Sequence, residues 1–364
     1  MLAPLRDYFR PEDPTASPLL CTAKDRYFRR LSVELCPGEP GFDESQWIVS
    51  EDVNVEHLLD VFTSIDADSE GVWDVCDKFM KHLRWHKPRL VILGPKIEAL
   101  PDSHPFKPLC LASLARLFAS VRNWAEKKRI LIQNLGLLRE SGNDYQVAVT
   151  LINLSDANRM LGFREEGIRQ AREALNIFGW LGETRQQAYC LLVLASLLHE
   201  DKQLDAAEEA ATRAMDLLEN RDQYGLCECH NVLGRIQQSK GHTEKAIHHF
   251  KESLQITSSI NSHGELSWAH LGLADLYIEE DKLDDAQTHI EHAKSLAQDD
   301  MLKLGRAVYC GAHVLHKRKK FEEGKLEALR ALAIFEGLGA TIPAEDTRRL
   351  LEAVEETINL SRRR

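Results

Sequence analysis

The sequence predicts an all-α fold, a right-handed superhelical solenoid of antiparallel helix pairs in units of about 40 residues. Three observations predict it. Small residues recur at Ala115, Ser155, Ala195, Gly234, Ala274 and Ala312, at intervals of 40, 40, 39, 40 and 38. Two further small-residue positions keep step with them. Helix-breaking residues punctuate the units at Gly162-Phe163, Asp201-Lys202-Gln203, Lys240-Gly241-His242 and Glu280-Asp281-Lys282. Gly and Asp there end one helix and start the next. No strand-like alternation competes over residues 105–340.

With the first recurrent residue placed at position 8 of its unit, position 20 holds Lys127, Gly167, Ala207, Ala246, Ala286 and Gly324. Position 27 holds Asn134, Ala174, Ala214, Ser253, Ala293 and Ala331. Leu stands at position 7 in every unit but the last, which has Gly311, and position 28 is Leu or Met except at Lys294. Two antiparallel helices approach closely only where side chains at the crossing are small, and Leu beside them fills the remaining volume. Lys127 and Asn134 depart from the pattern in the first unit, where a terminal repeat is expected to be atypical. Lys294 lies in the fifth unit, and its amine is expected to reach for water. The bulky residues that open second helices, Trp124, Leu204, Leu283 and Phe321, are expected in the core.

The small-residue positions, the Leu-Gly or Leu-Ala pair at positions 7 and 8, and the Gly241 to Ala246 turn resemble tetratricopeptide repeats. Six units over 105–340 carry the resemblance. The long form, as in EALNIFGWLGETRQQAYCLLVLASLL (173–198), is similar to the repeats that follow the nucleotide-binding module of STAND-class signalling ATPases. Strings in the first hundred residues, such as MLAPLRDYFRPEDP and HLRWHKPRLVILGPKIEALP, resemble a lineage of large fungal proteins with that architecture. The resemblance implies that MLAPLRDYF is the tail of a winged-helix-like element closing an ATPase module, and that the chain is the C-terminal part of such a protein. The P-loop itself is missing, because no G-x-x-x-x-G-K-[ST] occurs. LGPK at 93–96 lacks its glycine spacing and hydroxyl and reads as a helix or turn.

Domain organisation follows. Residues 1–104 form an irregular helical region punctuated by prolines, with helices expected at about 22–34, 51–64 and 69–86. The last has Val72, Trp73, Cys76, Phe79, Met80 and Leu83 as its apolar stripe. Residues 105–340 are the six repeats. Residues 341–364 are a capping helix with Leu350, Leu351, Val354 and Ile358 on one side, followed by a basic tail.

Composition narrows the function. Lys and Arg number 46 against 57 Asp and Glu, a net charge of −11, which opposes broad contact with a phosphate backbone. The basic run Lys317-Arg318-Lys319-Lys320 reads as a solvated turn. No segment is apolar enough to span a membrane and no signal peptide opens the chain. Eight scattered cysteines suit a reducing, cytoplasmic setting.

Cys227-Glu228-Cys229-His230 is the most metal-like cluster, but a zinc site needs a second ligand pair at set spacing, so packing is the expected role. His289/His292 and His313/His316 could each hold a metal only weakly, and are expected to be exposed. No catalytic motif and no cofactor-binding motif is found. The expectation is a non-enzymatic protein–protein interaction scaffold or recognition arm that binds a protein or peptide along its concave face, with neither nucleic acid nor membrane as partner. The alternative is the regulatory or sensor portion of a STAND-type ATPase, acting with a nucleotide-binding module in cis or in trans.

In repeats of this kind the first helices line the inner face. Positions 2, 5, 9, 12 and 13 then supply the candidate binding residues Asp156, Arg159, Tyr189, Glu200, Asn231, Arg235, Gln238, Trp268, Asp275, Tyr309, His313, His316 and Lys317. Their aromatics are the natural anchors for a partner. Some tetratricopeptide proteins clamp a terminal carboxylate with Lys and Asn at positions 5 and 9 of one unit. Asn231 and Arg235 occupy those positions here, an imperfect match.

Overall fold

The computed structural model describes Glu56, Leu59, Asp60 and Thr63, then residues 70–86, 93–218, 222–260, 263–297, 300–338 and 340–362. The expected helix at 22–34 lies outside the described residues, and of 51–64 only those four residues are described, all helical. Fifteen helices and no strand occur among the described residues. The chain divides into two compact units, Met1–Gln170 and Ala171–Arg364.

The first unit contains α1 (Glu70–His86), α2 (Gly94–Ala99), α3 (Lys107–Ser120), α4 (Trp124–Glu140), α5 (Asp144–Met160) and the start of α6 (Arg164–Leu181). The second continues from α6 with α7 (Thr184–Glu200), α8 (Leu204–Leu218), α9 (Gln223–Ser239), α10 (Thr243–Ile260), α11 (His263–Glu279), α12 (Leu283–Ala297), α13 (Met301–Lys317), α14 (Phe321–Gly337) and α15 (Thr341–Arg362). Within each unit successive helices pack on one another: α3 on α4, α7 on α8, α9 on α10, α11 on α12 and α13 on α14. The three-residue links between the members of each pair make them antiparallel.

Every turn between the two helices of a repeat closes in the same way. A residue with positive φ stands at Arg122, Gly162, Lys202, Gly241, Asp281 and Lys319. The next amide donates to the carbonyl five residues back at 2.8–2.9 Å, from Asn123 to Phe118, Phe163 to Asn158, Gln203 to Leu198, His242 to Gln237, Lys282 to Tyr277 and Lys320 to Leu315. This is the Schellman closure, in which a left-handed residue lets the orphan carbonyls of the last turn find donors. Only Gly162 and Gly241 avoid the steric cost of that conformation. Glycine content therefore signals two of the six turns, and polar residues make the others.

The small residues do what the spacing predicts. The sixteen small residues at positions 8, 20 and 27 are all buried, as are Lys127 and Asn134 in the remaining two places, and Ala195 and Ala274 expose nothing. The closest approach surrounds Phe250 on α10. A Cβ at Gly234 on α9 would lie 2.7 Å from that ring, and one at Gly272 on α11 would lie 2.3 Å from it. Bare backbone on two successive first helices makes the slot that the ring fills, beside Ala246, Leu273 and Leu276.

The departures from the pattern are resolved locally. Lys127 is buried rather than solvated, and its ammonium meets Asp156 on α5 at 2.9 Å. Lys294 and Gly311 compensate each other. A Cβ at Gly311 would sit 3.8 Å from the Lys294 amine, which occupies the space a leucine would fill. That amine is partly exposed and lies 3.9 Å from a Glu327 carboxylate oxygen, which attracts it as an opposite charge. Trp124, Leu204, Leu283 and Phe321 are half-buried, not core residues. They open second helices at the ends of the turns, where only one side is covered.

At the edges of the repeats, the α1 stripe Val72, Trp73, Cys76, Phe79, Met80 and Leu83 is buried as expected. Leu350, Leu351, Val354 and Ile358 of α15 join Ala312 and Ala328 in one cluster, which caps the last pair. The basic run at 317–320 is largely paired. Lys317 donates to Asp281 at 3.4 Å, Arg318 to Asp284, and Lys320 to Glu323 at 3.3 Å. No described helix is long and apolar enough to cross a membrane.

Six cysteines, Cys76, Cys110, Cys190, Cys227, Cys229 and Cys310, are buried free thiols. Desolvation pushes Cys190 up to about 12, and desolvation with Glu228 nearby does the same to Cys229. Thiolate is the reactive form. Alkylation of the native chain, mapped by mass spectrometry, is therefore expected to spare all six and to reach them after denaturation.

Candidate functional site

The first helices of consecutive repeats meet in the second compact unit: α7 with α9, α9 with α11, and α11 with α13. This contiguity places their outward positions on one surface. Eleven of the candidate residues lie on these helices, ten of them at least partly exposed and Asn231 buried. Asp156 and Arg159 belong to the first unit, where they pair with each other at 3.0 Å and Asp156 also holds Lys127.

The surface is braced from helix to helix. Asp222 caps the start of α9 by accepting from the Gly225 amide at 3.1 Å. The same side chain accepts from the Tyr189 hydroxyl at 3.0 Å and from Arg185 at 2.8 Å, both on α7. Burial opposes ionisation of Asp222, but the Gly225 amide, Tyr189 and Arg185 together hold its carboxyl below the ordinary value. Desolvation and the bond to Asp222 push the Tyr189 phenol up to about 12, so the hydroxyl stays a donor at neutral pH.

The next braces repeat the theme. Gln238 on α9 donates to Glu279 on α11 at 2.9 Å, and the His199 imidazole on α7 lies 2.7 Å from Ser239 on α9. Asp275 on α11 receives Arg306 at 2.7 Å and the Cys310 thiol at 3.1 Å, both on α13. Tyr309 meets His313 edge-on with ring centres 4.7 Å apart, and the Arg306 guanidinium lies 5.4 Å from the Tyr309 ring. Trp268 is half-buried on the α11–α13 core, with the Lys303 ammonium 6.0 Å from its ring.

Structure thus brings Tyr189, Gln238, Asp275, Tyr309 and His313 into braces between or along first helices. Arg235 and Lys317 are exposed, Glu200 is half-exposed, and Asn231 is buried. His316 packs on Phe321 at the start of α14, with ring centres 5.5 Å apart. The expectation that the paired histidines are exposed is corrected. His289, His313 and His316 are half-buried, and only His292 is exposed. Sequence reasoning missed Arg185, Asp222, Lys303 and Arg306. Each lies on or next to a first helix, but its partner is a whole repeat away.

Chemically, the surface offers aromatic faces, hydrogen-bond donors and acceptors, and ion pairs locked in place. Among the described residues no three His, Cys, Asp or Glu side chains stand together as a set that could hold a metal. In the Cys227–His230 cluster both Cys227 and Cys229 are fully buried, which fits the packing role.

Residues 189–259 match the tetratricopeptide repeat family. The match is confined to that stretch. It covers Tyr189, Glu200, Asn231, Arg235 and Gln238. Around it, the described chain has the fold of solved helical-repeat proteins. A Rap protein complexed with competence and sporulation factor is similar with a TM-score of 0.59 at 15% identity, over 91% of this chain and 99% of that one. Cut9 in the Cut9–Hcn1 hetero-tetramer of the APC/C is similar with a TM-score of 0.54 at 18% identity, over 83% of this chain and 52% of that one. The apo form of RapI gives 0.50 at 14% identity, over 70% and 99%. At these identities the likeness is one of fold. No curated protein sequence matches the chain.

Proposed function

We propose that the chain is a non-enzymatic scaffold that binds a protein or peptide partner along the face formed by its first helices. One observation carries the reading. Trp268 and Tyr309 stand half-exposed on adjacent first helices, α11 and α13, which the Arg306–Asp275 ion pair joins. A partly exposed aromatic on a rigid support loses little side-chain freedom on binding, which is how hot spots arise. Of the similar folds, the Rap structure holds a competence and sporulation factor and Cut9 is paired with Hcn1. We place the protein in a reducing, cytoplasmic compartment, consistent with the six free thiols among its described residues.

Affinity capture from the source cells with the full chain tests this. The variant Trp268→Ala/Tyr309→Ala is expected to recover its partner at least about tenfold less well. Both rings also pack on the core, so a charge reversal at exposed Arg235, Arg235→Glu, serves as a second variant. Helical circular dichroism controls for folding. Equal recovery by the wild type and both variants removes this face from the account.

A second reading keeps the scaffold but makes it the regulatory part of a STAND-type ATPase. It is supported by the N-terminal strings alone. Specific capture of a P-loop ATPase would favour it, and capture of unrelated partners only would count against it.

A further inference from the structure

We propose that two histidine pairs, His230–His249 and His270–His289, are proton-operated latches that hold the two helices of consecutive repeats together and release them on acidification. In the first pair the Nδ1 atoms of His230 on α9 and His249 on α10 are 3.1 Å apart. In the second, those of His270 on α11 and His289 on α12 are 2.7 Å apart. Each contact joins the first helix of a repeat to its second. The pairs are in register, since His230 to His270 and His249 to His289 are both steps of 40 residues.

Two imidazole nitrogens at such distances form a bond only if one donates and the other accepts. One ring of each pair therefore carries its proton on Nδ1 and the other has a bare Nδ1. Protonating the bare nitrogen points two N–H groups at each other, and the contact must part. A closed latch can take a proton only at the free Nε2 of its donor ring, whereas two opened rings can take one each, so opening always admits at least one further proton. Nor do the pairs make a metal cage, because two rings supply two ligands and no described third donor completes a set.

The surroundings do not rescue the cation. Facing the first pair are His248 and Glu252 on α10 and Glu208 on α8. Glu208 is already engaged by Gln237 at 2.8 Å and by Lys240. Facing the second pair are His292 and Asp285 on α12, Lys251 on α10, and Tyr277 on α11, whose ring stacks on His289. His292 stacks on His270 with ring centres 5.0 Å apart. Desolvation lowers the proton affinity of all four rings. His249 and His270 fall to about 4, with neighbouring histidines adding to the effect.

The sign follows. An opened ring regains the ordinary imidazole value near 6.5. Above that pH open and closed states bind the same protons and the latch is fully effective. As pH falls below 6.5 the open state takes up at least one proton more than the closed state, and well below 6.5 opening gains about tenfold per pH unit for that proton. The α9 helix carries Arg235 and Gln238, and α11 carries Trp268 and Asp275. If the proposed binding face is correct, acidification also loosens it, but the latch itself does not depend on that reading.

Hydrogen exchange of the full, chelator-treated chain, corrected for intrinsic rates, tests the proposal. Protection in α9–α12 should fall about fifteenfold between pH 6.5 and 5 for one proton per opening. Protection in α3–α4, which lack histidine, should fall less than about threefold. In the variant His249→Asn/His289→Asn, which keeps a polar partner that does not titrate, the fall in α9–α12 should also shrink below about threefold. An equal fall in the variant and the wild type overturns the proposal. Long-range proton–nitrogen NMR of the wild type at pH 7 supplies a test that needs no variant. One ring of each pair should be the Nδ1–H tautomer, and finding all four as Nε2–H overturns it.

Discussion

Replacing Phe250 by alanine is expected to cost about 3–5 kcal/mol, read as a fall in the denaturation midpoint of the helical signal. Its ring fills a slot made by bare backbone at Gly234 and Gly272. The converse change should also hurt. Gly272→Ala puts a methyl group 2.3 Å from the ring, so the ring must move, at a cost of about 1–3 kcal/mol. Combining the two should be milder than their sum, because the methyl group then enters the space the ring has left. A coupling of about 0.5–3 kcal/mol is the expected signature. Strict additivity would show that Phe250 and Gly272 do not meet.

Asp156→Ala is expected to cost about 3–5 kcal/mol for a different reason. The Lys127 side chain is 5% exposed and Asp156 is its ion-pair partner. Removing the carboxylate leaves a buried ammonium without its counter-charge, which is worse than having no pair. Lys127→Ala in the Asp156→Ala background should therefore recover most of the loss, since it restores the small residue that position 20 holds elsewhere. Burial works against the Asp156 charge, but Lys127 and Arg159 prevail and hold its carboxyl below the ordinary value of 3.8. This contribution is present above pH 3.8 and is lost as pH falls below it. A double variant no more stable than Asp156→Ala would contradict the reading.

The helical stack was legible in the sequence because it depends on a requirement local to each crossing. Ala195 and Ala274 are small wherever backbones touch, whatever lies elsewhere. The same logic explains why Gly162 and Gly241 marked their turns while Arg122 and Lys319 did not, since a left-handed residue need not be glycine. The face proposed for binding could be named from the sequence as a set of positions but not as a network. Gln238 finds Glu279 41 residues on, and Asp275 finds Arg306 31 residues on. Such partners depend on how one repeat is rotated against the next, which spacing along a helix does not report.

The histidines illustrate the same limit. His230 sits beside Cys227 and Cys229 in sequence, and His289 shares a helix face with His292. Structure adds a partner to each from the other helix of the hairpin, 19 residues away. Lys294 and Gly311, two separate exceptions to the repeat pattern, prove to be one compensated exchange for a similar reason. Their proximity across α12 and α13 is a property of the stack.

The most direct measurement is the denaturation midpoint of four single variants, Ala115→Leu, Ala195→Leu, Ala274→Leu and Ala312→Leu, against Ala125→Leu at an exposed site on α4. Each of the four residues is at most 1% exposed, so each added isobutyl group should force helices apart and cost about 1–3 kcal/mol or more. The Ala125 control should change stability by less than about 0.5 kcal/mol. Four variants as stable as that control would mean that backbones do not meet at these residues.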